Sequence, residues 1–415
     1  MRKPWRIAIG LAFGLAFGAL LAGPGQAQPA QPIGERFHVT VGDLPPPYAT
    51  PSVARPAIRV PRPPFVTLRV PQGFTANVFA EGFRHARWLA VAATGEVFLA
   101  EPRAGRITVL ADADGDGVAE RRAVFARGLD RPHGLAFHGG YLYVGEQTRV
   151  RRLSVRPGNP PTAGPIEPVT AAGALGRGGG HWTRNLVFAA DGASFFVTVG
   201  SRDNVAEEAP PRATVQRFRT DGTDQQTFAT GLRNPVGIAR QPGTDEIYVV
   251  VNERDGLGDG LVPDYLTRVR PGAFYGWPYA YSGPIPDPDY GDLRPDLVAR
   301  TVTPDVLFKA HSAPLGLIFY DTDGFPPAYR GDAFVALHGS WNSGRPTGYK
   351  IVRVPFRNGR PVGGYETFAA GFWLGGKRQA RVWGRPVGLA VARDGSLLIA
   401  DDMGQTIWRV AYQGG

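Results

Sequence analysis

One histidine follows three consecutive glycines in the stretch Arg177–Asn185, which reads RGGGHWTRN. Glycines let the backbone pass close to something flat or bulky, and the stretch leads directly into a predicted strand. An imidazole has an unperturbed pKa near neutrality, so His181 is suited to act as a general base. The other interpretation is a core histidine hydrogen-bonded to a neighbouring carbonyl. The glycine run favours the functional interpretation.

A second candidate is the pair Arg233-Asn234 in the stretch GLRNP, at the start of another predicted strand. The planar guanidinium of an arginine suits a carboxylate or a quinone oxygen, and an asparagine adds one donor and one acceptor. Pro235 holds Asn234 in an extended conformation. The tripeptide alone is a weak signal, because any repeated strand start can contain it.

Two acidic, glycine-rich stretches could bind a divalent cation. The first, NERDGLGDG from Asn252 to Gly260, offers carboxylates and bare carbonyls that suit calcium; an ordinary turn with solvated acids is the alternative. The second, DADGDG from Asp112 to Gly117, begins like an EF-hand loop, but the twelfth position is Ala123 instead of a bidentate Glu. We interpret it as an acidic surface turn between two repeats, with weak calcium binding left open.

The elements that must position these residues recur along the chain. An apolar stretch, a turn and a strand ending on a polar residue appear six times, beginning at Arg87, His133, Asn185, Asn234, Ala313 and Arg385. Repeats of about 40–50 residues built from short strands and Gly/Asp turns are typical of propeller blades. We therefore predict an all-β fold, a six-bladed β-propeller with scarce helix. The last two spacings are longer, which predicts insertions in the fifth and sixth units.

The inner strand of each repeat ends on a polar residue, and these ends should meet at one rim of the ring. They are Glu101, Glu146, Ser201, Glu253, His338 and Asp401. Loops on a rigid scaffold commonly carry function, although about half of these residues should only cap turns. The sequence from Val66 reads as a strand pair, and an N-terminal strand should complete the last blade and close the ring.

The first 27 residues have the layout of a secretory signal peptide, with a positive head, an apolar run from Ile7 to Ala22 and small residues up to Ala27. An uncleaved membrane anchor is the alternative, although the run is short for a span of roughly 20 residues. We predict a periplasmic or secreted protein that touches a membrane only through an uncleaved leader. Residues 28–65 are rich in proline and should be extended, and residues 66–415 should form the propeller.

Composition limits the possible functions. The chain of 415 residues contains no cysteine, which excludes disulfides and thiolate metal sites. Its formal net charge is +10, and nearly all of the basic residues are scattered arginines. Together with the predicted export, this argues against a nucleic-acid partner and favours a basic mouth for an anionic ligand.

Taken together and in order, the motifs resemble the soluble quinoprotein sugar dehydrogenases, particularly the L-sorbosone dehydrogenase branch. The motifs are GGGHWTRNLVFAADG, GLRNPVGIA, the acidic loop before PDYLTRVRPGAFYGWP, HSAPLG, HGSWN and GRPVGLAVARDG. The resemblance extends from Gly73 to Tyr412. It implies pyrroloquinoline quinone (PQQ) and calcium as cofactors, a small sugar or aldehyde substrate, and a soluble or membrane-bound electron acceptor.

The same resemblance implies roles for individual residues. His181 matches the family's general base, which takes a hydroxyl proton while hydride passes from the same carbon to the quinone. Arg233 and Asn234 match the pair that contacts the quinone oxygens, and Arg233 would stabilise the negative charge that develops there. Arg385 matches an arginine that contacts the carboxylates of the cofactor.

Two positions depart from the family pattern. Where the glucose-oxidising members place a supporting Asp, this chain has the run GSRD, so Ser201 or Asp203 must support His181. A cofactor-binding lysine is replaced by the run GSWN, which makes Trp341 and Asn342 the candidates for that contact. These changes put glucose in doubt as the substrate.

The resemblance also places calcium on two adjacent backbone carbonyls, those of Asp255 and Gly256 by position. Beside PQQ-dependent oxidation of a sugar aldehyde or an aldose, two functions stay open. One is a calcium-dependent lactonase, whose side-chain carboxylates would converge on the metal; the other is a non-catalytic binding propeller. Gly180-His181 with Arg233-Asn234 fits a planar quinone better than a lactonase site.

Overall fold

The computed structural model describes residues 31–414. Across this range the chain is built mainly of β-strands, and its one α-helix is Pro295–Ala299. The predicted all-β class and the scarcity of helix are confirmed. The predicted signal peptide lies outside the described residues, and so does the start of the proline-rich segment. No helix within the described range is long and apolar enough to cross a bilayer.

Six antiparallel sheets form the body of the described chain, and we number them in chain order. Sheet 1 contains Trp88–Val91, Val97–Glu101, Arg106–Ala111 and Arg121–Arg127. Sheet 2 contains Leu135–His138, Tyr141–Gly145, Val150–Arg156 and Thr162–Pro168. Sheet 3 contains Leu186–Phe188, Ser194–Val199, Thr214–Arg219 and Gln226–Thr230.

The remaining three sheets follow the same pattern. Sheet 4 contains Asn234–Arg240, Ile247–Asn252, Tyr265–Val269 and Val306–Leu307. Sheet 5 contains Pro314–Phe319, Ala333–Leu337, Lys350–Val354, Tyr365–Ala369 and, at its edge, Arg36–Phe37. Sheet 6 contains Pro386–Val391, Leu397–Asp401, Thr406–Tyr412 and Phe74–Glu81. Each repeat found in the sequence supplies the first two strands of one sheet.

The sheets are arranged in a closed ring. The first strand of each sheet packs against the first strand of the next, and sheet 6 packs against sheet 1 in the same way. The second strands are covered on both faces by the neighbouring sheets, so Ser194–Val199 and Ala333–Leu337 are buried at every residue. The apolar cores lie between adjacent sheets; Val250 of sheet 4, for example, shares a cluster with Leu317 and Val335 of sheet 5.

Sheet 6 joins the two ends of the chain. Its strand Phe74–Glu81 pairs antiparallel with Thr406–Tyr412, which confirms that an N-terminal strand completes the last sheet. The expected strand pair from Val66 is wrong, because before Phe74 this stretch forms only an isolated bridge between Arg69 and Ala370. Proline at position 71 interrupts the stretch, since it lacks the N–H that a ladder needs.

The insertions lie in sheet 4 and in and after sheet 5, so the predicted insertion in the fifth unit is present, whereas the one predicted in the sixth unit lies in the fourth. The spacing between two repeat starts gives the length of the earlier repeat, so the two long spacings belong to the fourth and fifth units. In sheet 4 the insertion contains Ala280–Tyr281, Ile285–Pro286, the 3-10 helix Gly291–Leu293 and the α-helix. The additions around sheet 5 contain Phe356–Arg357, Arg360–Pro361, Trp373–Gly375 and Arg381–Val382.

Residues 31–65 run along the outside of the ring. Ile58–Arg59 pairs parallel with Arg381–Val382, and the backbone N–H of Tyr48 donates to the carbonyl of Leu257 at 2.9 Å. The segment contains the 3-10 helix Val41–Asp43; two others are Pro102–Ala104 and Pro327–Tyr329. The proline-rich segment therefore lies against the loop that carries the acidic stretch.

Candidate active site

A cavity of about 410 Å³ lies where the starts of the first strands of the sheets meet the ends of the second strands. Its lining includes seven of the residues predicted from the sequence, namely His181, Arg233, Asn234, Asp255, Trp341, Asn342 and Arg385. Three other predicted residues, Ser201, Asp203 and Gly256, do not line it. The volume lies within the range of small-molecule sites.

Ser201 holds His181 in one tautomer. The Nδ1 of His181 lies 2.9 Å from the Oγ of Ser201 and 3.0 Å from its carbonyl oxygen. The Ser201 hydroxyl donates its own hydrogen to the carbonyl of Asp203 at 2.7 Å, so both Ser201 oxygens act as acceptors toward the ring. Nδ1 therefore carries the ring hydrogen, and Nε2 keeps its lone pair.

The electrostatic surroundings keep His181 neutral. Burial lowers the pKa of His181 to about 3, and the positive charge of Arg233 acts in the same direction. A neutral ring with an unprotonated Nε2 is the form that accepts a proton. Of the two residues predicted to support it, Ser201 touches the ring directly, whereas Asp203 is exposed and contributes through its backbone carbonyl.

Glycines near His181 allow close contact between segments of the protein that a side chain would prevent. Gly180 has a φ of 60°, and a Cβ there would lie 2.5 Å from the Cα of Arg202. The close neighbour of this glycine is thus protein backbone, although Gly180 also lines the cavity, so the close approach of a ligand to the glycine run stays a prediction. Gly200, which the sequence did not single out, has the same role. A Cβ on Gly200 would lie 2.6 Å from both the Oδ1 of Asn234 and the Cβ of His181.

Arg233 is 5% exposed, and the protein binds most of its N–H groups. Nε donates to the carbonyl of Asn204 at 2.9 Å, and Nη1 donates to the carbonyls of Asn252 at 3.2 Å and Glu253 at 2.7 Å. Nη2 donates to the Oδ1 of Asn204 at 2.9 Å and lies 3.6 Å from the carboxylate of Asp255. A guanidinium has five N–H donors, so one remains for a ligand.

Asn234 carries an unpartnered acceptor. Its Oδ1 is buried and has no hydrogen-bond partner among the described residues. A buried acceptor without a partner costs about 1–3 kcal/mol. Because Asn234 lines the cavity, a ligand that donates a hydrogen bond there would recover that energy.

Asp255 presents its side chain to the cavity. Its Oδ1 accepts a hydrogen bond from the Nδ2 of Asn342, which also lies 3.0 Å from the Nδ1 of His311. The Nε2 of His311 donates to the carbonyl of Gly258 at 3.0 Å. Burial alone would raise the pKa of Asp255, but interactions with His311 and Arg233 outweigh it and lower the pKa. The sequence motif HSAPLG contains His311, but its role at this site was not predicted.

The residues assigned to calcium are placed differently from what the resemblance implies. The carbonyl of Asp255 already accepts hydrogen bonds from the Nδ2 of Asn204 at 3.0 Å and the Nε of Arg254 at 3.3 Å. Gly256 is exposed and outside the cavity lining. At this position the ligand available to a calcium ion in the cavity is therefore the Asp255 carboxylate, and two adjacent free carbonyls are not present there.

Two further acids lie on the same wall of the cavity. Burial raises the pKa of Glu253 to about 8 and that of Asp264 to about 6. Asp264 accepts the backbone N–H of Glu253 at 2.9 Å and that of Ala313 at 2.7 Å, so it ties sheets 4 and 5 together. These carboxylates are oxygen ligands of the kind that hard cations prefer.

The opposite wall is cationic. Arg385 donates from Nε to the carbonyl of His338 at 2.9 Å and from Nη2 to the carbonyl of Gly339. The buried Asp402 binds the Nη1 of Arg87 at 2.7 Å and the Nε2 of His338 at 3.0 Å. Burial lowers the pKa of His338 to about 4, so that ring is neutral. The roles of Arg87 and Asp402 were not predicted, although Arg87 begins the first repeat, as Arg385 begins the sixth, and Asp402 follows the terminal Asp401.

The second acidic stretch lies in a hairpin turn of sheet 1, between Arg106–Ala111 and Arg121–Arg127. Its predicted place between two repeats is therefore wrong. Ligand atoms of Asp112, Asp114, Asp116 and Glu120 lie within 4.8 Å of one another. Asp112 accepts the backbone N–H groups of the glycines at 115 and 117, bonds that build the turn itself.

Comparison with known proteins places the chain in a family. The family model described as TrAA12-like matches residues 68–263 and 297–413. The chain is 34% identical over 220 residues to an uncharacterized protein of Borreliella burgdorferi, covering 52% of this chain and 57% of that protein. It is 31% identical over 115 residues to the aldose sugar dehydrogenase of Escherichia coli, covering 26% of this chain and 28% of that protein.

A third relative is the pyrroloquinoline quinone-dependent pyranose dehydrogenase of Coprinopsis cinerea. The identity is 28% over 224 residues, covering 42% of this chain and 30% of that protein. The matches thus cover at most 57% of the length of these curated relatives.

Solved structures share the fold at low identity. The holo form of the pyranose dehydrogenase PQQ domain from Coprinopsis cinerea has a TM-score of 0.70 and 20% identity, covering 86% of this chain and all of that one. The calcium structure of the Trichoderma reesei family AA12 enzyme has a TM-score of 0.69 and 20% identity, covering 87% and 98%. Because the family model matches well over half of the sequence, the chain belongs to the TrAA12-like family.

Proposed function

We propose that this protein is a PQQ-dependent dehydrogenase that oxidises a sugar aldehyde or an aldose. The observation that carries the proposal is the base His181, held by Ser201 with its Nε2 unprotonated beside the charged Arg233. Family membership and the relatives named as sugar dehydrogenases support the same assignment. Export to the periplasm or beyond belongs to the proposal, and so does the assignment of the six sheets as the blades of a propeller.

The cavity residues fit a planar, polyanionic cofactor. Arg385 supplies positive charge on one wall, where Arg87 is paired with Asp402, and the buried Oδ1 of Asn234 has no hydrogen-bond partner among the described residues. Trp341 is 48% exposed and lines the cavity, so its ring is free to stack on a flat group. A calcium ion would find the carboxylate of Asp255 on the opposite wall. When bound, PQQ supplies the two-electron acceptor that amino-acid side chains lack.

Two residues of the chain would act on the proton and the charge of the reaction: His181 would accept the substrate proton, and Arg233 would face the developing negative charge. His181 Nε2 accepts the proton of the substrate hydroxyl while its Nδ1–H stays on Ser201. The charge of Arg233 lowers the pKa of His181, so an anion placed against Arg233 offsets that charge and makes His181 more basic. A base that strengthens as negative charge develops favours the transition state over the ground state.

The lactonase alternative is less well supported. It calls for carboxylates that converge on a metal, whereas both oxygens of Asp264 accept backbone N–H groups and Glu253 accepts the N–H of Arg254. These bonds occupy the carboxylates in holding the loops together.

The proposed function is tested by reconstitution. The purified protein is titrated with PQQ, with and without calcium, while cofactor absorbance is followed. Dye reduction is then measured with a panel of aldoses, sugar aldehydes and polyols, and lactone hydrolysis is measured in parallel. We expect dye reduction that chelation abolishes and that calcium restores only with PQQ present. PQQ binding without turnover would indicate a binding propeller, and lactone hydrolysis without PQQ would indicate the lactonase.

A further inference from the structure

Asn204 bridges two residues of the proposed active site. Its Oδ1 accepts hydrogen bonds from the Nη2 of Arg233 and from the backbone N–H of Asp255, both at 2.9 Å. Its Nδ2 donates to the carbonyl of Asp255 at 3.0 Å, and its own carbonyl accepts from the Nε of Arg233 at 2.9 Å. One side chain from sheet 3 therefore sets the position of two residues of sheet 4.

The loop that carries Asn204 is anchored by two aromatic residues that lie in a segment the family model does not match. The Nε1 of Trp277 donates to the carbonyl of Asn204 at 3.0 Å, and the hydroxyl of Tyr279 donates to Glu207 at 2.5 Å. Both aromatic residues lie in the insertion of sheet 4, between the two segments that the family model matches. The neighbouring Glu208 accepts the backbone N–H of Arg202 at 2.8 Å, which stiffens the same loop.

The distance between Arg233 and Asp255 shows what this bridge achieves. Nη2 of Arg233 lies 3.6 Å from the Oδ2 of Asp255, which is too long for a hydrogen bond. One Nη2 hydrogen goes to Asn204 instead. Without that acceptor, the guanidinium and the carboxylate would close into a direct ion pair, and each would partly neutralise the other inside a poorly solvated cavity.

We propose that Asn204 is a positioning residue that holds Arg233 and Asp255 apart, so that each presents its charge to the bound ligand. The catalytic part of this inference rests on the proposed function. The structural part, that the side chain of Asn204 fixes the backbone of Asp255, does not depend on it.

The test compares Asn204→Ala and Asn204→Asp with Asn159→Ala as a matched control. Asn159 is an exposed asparagine in a hairpin of sheet 2 and lies outside the cavity lining. Hydrogen–deuterium exchange of the peptide covering residues 253–257 is measured on the cofactor-free protein. PQQ affinity, kcat and KM for the best sugar are measured after reconstitution.

We expect Asn204→Ala to speed exchange at the Asp255 amide and to lower kcat about tenfold or more, the factor that one hydrogen bond to a charged group is worth. KM should change little. A carboxylate at this position still accepts from the Asp255 N–H, so Asn204→Asp should restore part of the protection. It also pairs directly with Arg233 and lacks the Nδ2 donor, so it should not restore kcat. The control should match the natural protein.

Equal exchange and equal kcat in Asn204→Ala and Asn159→Ala would overturn the proposal. Full recovery of kcat in Asn204→Asp would overturn it as well, because that carboxylate pairs directly with Arg233. If the natural protein reduces no dye with any sugar, the proposed function fails, yet exchange at Asp255 still decides whether Asn204 holds this loop.

Discussion

Glu101 and Glu253 occupy equivalent positions, at the end of the second strand of sheet 1 and of sheet 4, but their hydrogen-bonding surroundings differ. Both are buried. Burial alone would raise the pKa of Glu101, but hydrogen bonds from Arg106, Thr108 and the backbone N–H of Arg84 outweigh it, so the pKa is lowered. For Glu253 burial dominates and raises the pKa to about 8. Equivalent positions in two repeats can therefore hold a charged glutamate that binds nearby donors or a neutral glutamic acid that faces a cavity.

The six strand ends also differ in what their side chains contact. In sheets 1, 2 and 6 the terminal acid accepts a backbone N–H from the loop that leads into its own sheet; these acids are Glu101, Glu146 and Asp401. In sheets 3, 4 and 5 the end residue lines the cavity or touches a residue that does; these residues are Ser201, Glu253 and His338. Of the three acids only Glu101 has a lowered pKa; burial raises the pKa of Glu146 and raises that of Asp401 to about 7, so a hydrogen bond from the leading loop does not by itself keep a terminal acid charged.

The sharpest way to break this comparison is to remove the base on the cavity side. His181→Gln fills a similar space but has no basic ring nitrogen, so PQQ binding should persist while turnover falls about 10²–10⁴-fold. Dye reduction at saturating PQQ measures the change. His138→Gln is the control, because the His138 ring of sheet 2 stacks on Phe188 of sheet 3, with ring centroids 4.2 Å apart, and does not line the cavity. Near-normal turnover in His181→Gln would remove His181 from the mechanism.

Arg233→Lys tests whether the cavity side depends on geometry as well as charge. A lysine keeps the positive charge but cannot reproduce the fork that reaches Asn204, Asn252 and Glu253. We expect the maximal rate to fall about 10²-fold, as when one donor to a developing charge is lost, with a smaller change in PQQ affinity. If saturating PQQ brings back the full rate, Arg233 serves binding alone.

The same substitution at the two glutamates should have opposite effects on stability. Glu101→Gln removes the charge that Arg106 and Thr108 bind, so the free energy of unfolding should fall by about 1–3 kcal/mol. Because the folded pKa is below the unfolded one, this stability is present above the unfolded pKa of 4.5 and is lost as pH falls. Urea denaturation of the cofactor-free, calcium-free protein at pH 7 measures it.

Glu253→Gln should instead stabilise the cofactor-free protein. The folded pKa is about 8 and the unfolded value 4.5, so the natural protein loses stability as pH rises between these values. Glutamine does not titrate, and the variant should gain about 1 kcal/mol or more at pH 7, with the gain vanishing near pH 4.5. Destabilisation by both substitutions would show that the two strand ends do not differ as described.

Ser201→Ala should give the smallest change. It removes the Oγ acceptor but leaves the backbone carbonyl 3.0 Å from Nδ1, so the tautomer of His181 should survive. We expect the activation barrier to rise by about 0.5–1.5 kcal/mol, which lowers the rate roughly two- to tenfold. Single-turnover dye reduction resolves it. A loss as large as that of His181→Gln would mean that the hydroxyl does more than orient the ring.

The sequence by itself determined the local units of this protein. Strand periodicity and Gly/Asp turns are short-range signals, so the six repeats predicted which segments pair within each sheet. Motifs next to strand starts also identified His181, Arg233 and Asn234, because residues at those places face a common rim. One of the two predicted insertions was misplaced, since spacing between repeats does not show which sheet an intervening segment joins.

Only the tertiary structure decided which polar groups remain free. Asn204 and Asp255 are 51 positions apart, and Asp402 binds Arg87 from 315 positions away, so no local pattern predicts either contact. Closure of the ring sets whether a buried acid meets donors, as Glu101 does, or faces a cavity, as Glu253 does. The pKa values, and with them the chemistry, follow from that balance between burial and hydrogen bonding.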